Sequence, residues 1–194
     1  TGYAREAGNA LIGSPLSGVL NTGGDTDLAS AIGVNNSKLS DATYIEFDFV
    51  PVTSQLTFNY IFASEEYSGG YPCQYSDGFA LLIKKVGDPT YTNLAVLPNG
   101  AGPVSVTNIH GPATGCSPVN AQYFAGNNTT NIETNFNGRT VPLTATATVI
   151  PGQTYHFKMV LADFTYGAGS GDTAFDTGVF LKAGSFNIGV VLND

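Results

Sequence analysis

Charge is what this sequence has least of. Only 11% of its 194 residues are Asp, Glu, Lys or Arg, against about 25% in an ordinary globular domain. Solubility therefore leans on Asn, Thr, Ser and Gly. The shortage falls hardest on the basic side, with seven Lys and Arg against fifteen acids and a net charge of −8. Such a balance leaves no electrostatic footprint for a phosphate backbone, so nucleic acid is excluded as an expected partner. Anionic membrane surfaces are disfavoured on the same ground. Long hydrophobic runs are missing as well. None approaches the roughly 20 residues of a membrane span, and no membrane insertion is expected. The chain starts without Met and without a signal peptide, which fits a mature or excised domain.

Several chemical signatures are also absent. There is no G-x-S-x-G elbow, and "GAGSGD" is followed by no strand-to-helix switch with a lysine, so it is not a phosphate loop. No full EF-hand pattern occurs, and no RTX nonapeptide repeat. The two histidines, His110 and His156, do not supply a zinc site, and neither do two cysteines so far apart in sequence. Cys73 and Cys116 both fall in Gly/Pro/Ser-rich loops, whereas buried thiols are expected inside strands. A disulfide in an exported protein is the better reading of the pair.

What is present points to strands. Gly (24) and Pro (10) punctuate the chain densely, Phe (12) and Tyr (10) suit strands, and 42% hydrophobic residues suffice for a core. "ATYIEFDFVPV" alternates, with Ile45, Phe47 and Phe49 on one face and Tyr44, Glu46 and Asp48 on the other. "SQLTFNYIFAS" sets Leu56, Phe58, Tyr60 and Phe62 opposite Thr57, Asn59 and Ile61. Further strands read at "GFALLIKKV", "TNLAVLP", "GPVSVTNI", "VPLTATATVI", "QTYHFKMVLADF" and "TGVFLKAGSFNIGVV". "GDTDLASAIG" reads as one short helix, capped by Asp25 or Thr26 and ended by Gly33. The segment from Gly115 to Thr140 is the longest irregular piece, with a second short helix expected around Ala121–Phe124 and glycosylation sequons at Asn127 and Asn128. The expected fold is all-β: a single domain over residues 1–194, an antiparallel two-sheet, jelly-roll-like β-sandwich with long loops.

The few acids gather where predicted strands end. Asp25 and Asp27 open the helix, and Glu65 and Glu66 follow the Tyr60 strand. Asp77 precedes the next strand, Asp163 closes "KMVLAD", and Asp172 and Asp176 lie in a glycine-rich loop. Carboxylates gathered at strand ends repel one another unless a cation lies between them. Calcium suits them best, because it takes six to eight oxygens from irregular loops. A solvated acidic surface is the plainer alternative. A glycosidase needs two carboxylates about 5 to 9.5 Å apart across a sugar, and adjacent glutamates on a continuing strand point to opposite faces. No enzyme activity is expected. Tyr67, Tyr71 and Tyr75 around the Glu pair form either a binding platform or the cover of a core edge.

Six stretches in order, among them "FASEEY" and "VFLKAGSF", resemble the choice-of-anchor L domain family of bacterial surface and secreted proteins, over roughly residues 20 to 187. Within it the chain is similar to the calcium-dependent peptide-binding domains near the end of long RTX adhesins. That resemblance implies an extracellular module on the bacterial cell surface, monomeric within a long multidomain chain and acting in adhesion and biofilm. Its implied partner is the C-terminal peptide of a protein on another cell, held through Ca2+; a lectin-like module binding glycans is the alternative. The implied metal ligands are Asp25, Asp27, Glu65, Glu66, Asp77, Asp163 and Asp176, with Asp172 in a loop longer and richer in Gly than the family's. Ser64, Tyr67, Tyr71, Tyr75 and Asn108 make up the candidate ligand-contact set.

Overall fold

The computed structural model describes residues 20–128, 134–166 and 175–188. The one α-helix among these residues, α1 (Thr26–Ile32), begins where the Asp25 side chain accepts from Leu28 N at 2.9 Å and ends at Gly33 in the left-handed conformation (φ 72°). Both signals are the ones read from the sequence. The strands are β1 (Leu39–Phe49), β2 (Gln55–Ser64), β3 (Gly78–Lys85), β4 (Thr92–Asn93), β5 (Phe124–Asn127), β6 (Gly138–Thr140), β7 (Leu143–Thr148), β8 (Tyr155–Phe164) and β9 (Thr177–Leu181). They pair antiparallel in two sheets. One runs β1-β8-β3-β4; the other runs β5-β6-β2-β7, with β9 also on β2. Ala63 of β2 stands between Arg139 of β6 and Gly178 of β9. The all-β, two-sheet reading holds.

The two-residue period of a strand decides what is buried. Leu56, Phe58, Tyr60 and Phe62 of β2 turn inward against Phe79, Leu81 and Ile83 of β3 and Phe157 of β8, forming the main core. The other face of β3 is buried too. Ala80 and Leu82, with Val160 and Ala162 of β8, pack under Leu28 and Ala29 of α1. That double burial explains why "GFALLIKK" reads as a continuous apolar run and not as an alternation. Gly78 eases it. A Cβ there would stand 3.2–3.3 Å from the ends of the Ile32, Leu39 and Leu28 side chains, which would have to shift by a few tenths of an ångström.

Some expectations fail for identifiable reasons. "TNLAVLP" shrinks to a two-residue strand and "GPVSVTNI" forms none, because Pro98 and Pro103 cannot donate to a ladder. The chain there folds back on itself instead, with Leu97 N bonded to Gly102 O at 2.8 Å and Val104 N to Ala95 O at 2.9 Å. β9 stops at Leu181, and Asn187 then makes an isolated bridge to Thr57. Two short strands, β5 and β6, arise in the segment read as irregular, and Ala121–Tyr123 is a single 3-10 turn. In β1 the faces alternate as read, yet Ile45 is 59% and Phe47 40% exposed, on the strand that ends its sheet among the described residues.

Candidate functional site

At one end of the sandwich the inward-facing positions change from apolar to acidic. Phe79 of β3 pairs with Leu161 of β8, and one period further along the same face come Asp77 and Asp163. On the facing sheet, Phe62 of β2 pairs with Val179 of β9. One period on come Ser64 and Thr177, which pair with each other, and then Glu66. The same alternation that builds the core therefore delivers carboxylates and hydroxyls to its rim.

The contacts there are short and specific. Glu66 Oε1 accepts from the Asp77 main-chain N–H at 3.2 Å, while Glu66 Oε2 accepts from Ser64 Oγ and from Thr177 Oγ1, the latter at 3.4 Å. Glu65 turns the other way. Its Oε2 accepts from Asp176 N at 3.2 Å, and its carbonyl takes the Asn137 side-chain amide at 2.6 Å. The adjacent glutamates thus point to two sides of one turn, and both are buried. Asp77 is 5% exposed, and its Oδ1 has no hydrogen-bond partner among the described residues. Burial pushes the Asp77 carboxyl well above the usual carboxylate range, and the charges of Glu66, Asp163 and Asp176 push it further against a hydrogen bond from Thr177.

The sequence model of the choice-of-anchor L domain matches residues 1–187. The chain belongs to that family. No curated protein and no solved structure matches it. Membership makes this choice-of-anchor L domain a cell-surface-related module. Among its described residues, no helix is long and apolar enough to cross a membrane.

The remaining site candidates of this domain divide by location. Asp25 and Asp27 belong to a separate cluster, where Lys158 Nζ lies 2.6 Å from Asp25 Oδ2 and 2.8 Å from Asp27 Oδ2. Lys158 stands four residues along β8 from Ala162, the partner of Gly78, or about 13 Å of strand. Burial pulls the Lys158 ammonium down, but the hydrogen bonds and charges of the two aspartates outweigh it and leave its pKa above the ordinary lysine value. Among the described residues, no three His, Cys, Asp or Glu side chains converge closely enough to hold a metal ion. Asp172 lies outside the described residues.

Of the five candidate ligand contacts, two face outward. Tyr71 is exposed and Tyr75 half-buried, within a chain of aromatic rings. Tyr71 meets Phe175 at 4.9 Å and Tyr75 at 5.8 Å, Tyr75 meets Tyr166 at 5.4 Å, and Tyr166 meets Phe164 at 4.5 Å. Tyr67 needs correcting as a ligand contact. At 1% exposure it is a core residue packed at a tilt against Phe124, ring centroids 4.8 Å apart, beneath Gly138, where an added Cβ would sit 2.6 Å from Tyr67 Cβ. Ser64 is likewise fully buried and spends its hydroxyl on Glu66. The Asn108 side-chain amide is taken up by the carbonyls of Ala101 at 2.8 Å and Pro103 at 2.7 Å, so it braces a loop. The expected disulfide is formed, joining Cys73 to Cys116 and pinning the turn that carries Tyr71 and Tyr75.

Sequence reasoning missed Ser76, Thr177 and Tyr166. Ser76 Oγ accepts from Val106 N at 2.9 Å, and the Ser76 carbonyl accepts from Tyr166 OH at 3.1 Å. Burial pushes the Tyr166 hydroxyl up to about 12, the hydrogen bond to Ser76 opposes this, and Glu66 and Asp77 add to it. Thr177 was within reach of the sequence: the two-residue period of "TGVF" carried back from Val179 lands on it.

Proposed function

We propose that this domain is the ligand-binding module of a bacterial surface adhesin. In this reading the acidic end of the sandwich takes up calcium and, through it, the C-terminal carboxylate of a peptide from a partner cell. One observation carries it: Asp77 is buried with an unpartnered Oδ1 amid the charges of Glu66, Asp163 and Asp176. A carboxylate so placed calls for a proton or a cation. Glu66, Asp163, Asp176 and Thr177 around it all offer oxygen, which suits a hard ion. Asp77, Glu66, Asp163 and Asp176 would hold the ion, with the hydroxyls of Ser64 and Thr177 beside them. Side-chain rotations have to bring them together, since no three converge as they stand. The ion would reverse the local field, so that an acidic domain can receive an anionic chain end. The family's surface association and the disulfide support an exported setting.

Calorimetry with free-carboxylate and amidated forms of the same peptides, with and without EDTA, tests the reading. The expected result is calcium-dependent binding of the free-carboxylate form alone. Equal binding of both forms in chelator overturns it. A sugar-binding module is the second reading, favoured by the exposed rings of Tyr71 and Tyr166. Calcium-dependent hits on a glycan array, with no preference between the two peptide forms, would favour it.

A further inference from the structure

Next to the acid cluster the surface opens into a groove with about 130 Å³ of free space. Ile32 and Val34 at the end of α1 form one wall, and Pro103 and Val104 another. Phe164 and Tyr166 close a third side, and Asp77 lies along the lining. Among the described residues that line it, Asp77 is the only charged one. The groove therefore meets the acid cluster at Asp77.

The groove is pre-built. Gly78 admits Ile32 against the start of β3, and Val106 N holds Ser76 Oγ at 2.9 Å. Tyr166 OH fixes the Ser76 carbonyl at 3.1 Å, and Val104 N is tied to Ala95 O at 2.9 Å. Walls held this way lose little freedom when a ligand enters. Size then limits the occupant: an apolar cavity of about 150 Å³ takes up one benzene. A groove slightly smaller takes one leucine-, valine- or proline-sized side chain and is too small for an indole.

We infer that this groove is the side-chain pocket of the module, holding one branched aliphatic or proline residue within two residues of the ligand's charged end. The inference rests on the peptide-binding reading above and adds a residue class to it. Neutral apolar walls select the side chain, while the shared carboxylate places it beside the charged end.

Short free-carboxylate peptides carrying Gly, Ala, Val, Leu, Pro or Trp at each of the last two positions test it by calorimetry in calcium. Leu, Val or Pro at one position is expected to bind at least tenfold tighter than Gly, with Trp no better than Gly. Two groove-filling variants, Val34→Trp and, at a further lining residue, Thr107→Trp, are expected to erase that preference, so that the Leu, Val and Pro peptides bind each variant within twofold of the Gly peptide. Circular dichroism and melting curves verify that each variant is folded. Equal affinities across the series, or a preference for Gly or Trp, overturn the pocket and leave the calcium-dependent reading standing. Failure of every peptide in calcium, Gly included, overturns both.

Discussion

The main-chain N–H of Asp77 donates to Glu66 Oε1 at 3.2 Å. That bond ties the turn after β2 to the residue before β3, and so joins the two sheets at the acidic end. It also holds one carboxylate close to another that is buried and only partly satisfied. Such an arrangement has a cost in the absence of a cation.

The cost is measurable as a pH dependence. The folded-state pKa of Asp77 is raised, so the folded chain binds this proton more tightly than the unfolded chain does. Its contribution is favourable below the ordinary carboxylate value of about 4 and is lost as pH rises through the raised value. In calcium-free buffer at pH 7, Asp77→Asn is therefore expected to stabilise the domain by about 1–3 kcal/mol, the scale of an unpaired buried polar group. Melting curves across pH are expected to show that advantage shrinking as the pH falls toward 4.

Lys158 serves stability at a distance from the acidic end. With Asp25 and Asp27 both bonded to it, Lys158→Met leaves two acids beside an apolar cluster without their cation. Breaking a fully buried pair costs about 3–5 kcal/mol. Asp27 keeps substantial solvent contact, so roughly 2 kcal/mol is expected here, read from urea unfolding with Asp25→Asn for comparison. Asp25→Asn is expected to cost less, because an asparagine oxygen still caps Leu28 N.

Strand periodicity made β1, β2, β7 and β8 legible in the sequence, a short apolar run did the same for β3, and the Asp25 and Gly33 caps made α1 legible. Positions that depend on what packs from elsewhere were not. Ile45 and Tyr67 illustrate this. Their residue types suggest core and rim respectively, and the fold reverses both, because β1 ends its sheet among the described residues and Gly138 opens room for Tyr67. The acids at strand ends were visible as a group. Their division into one set on Lys158 and another around Asp77 depends on long-range pairing, 133 residues apart for Asp25 and Lys158. No local pattern encodes that.

The Cys73–Cys116 disulfide closes a loop with a sequence separation of 43. Chain entropy assigns such a crosslink up to about 4 kcal/mol. The double variant Cys73→Ser, Cys116→Ser is expected to lose about 2–4 kcal/mol by denaturant titration. Peptide binding is expected to weaken as well, because the crosslink holds the turn that carries Tyr71 and Tyr75.

Tyr67 offers a test in the opposite direction. Its hydroxyl is buried without a hydrogen-bond partner among the described residues, and its ring supplies the packing. Tyr67→Phe removes the unpaired group and keeps the ring, so a melting temperature equal to or higher than the parent's is expected. A loss of more than about 1 kcal/mol would mean that the hydroxyl makes a bond in solution.

Calcium itself is the most direct probe of the acidic end, because only the folded chain gathers these carboxylates. Calorimetric titration of the EDTA-stripped domain with calcium chloride, paired with melting curves, reads both affinity and linkage. Saturable binding is predicted, with stabilisation of about 2.7 kcal/mol at a calcium concentration one hundred times Kd, and both are predicted to vanish in Asp77→Asn. No heat of binding, with one melting temperature in calcium and in EDTA, would contradict the account and leave Asp77 a carboxyl held neutral by its own proton.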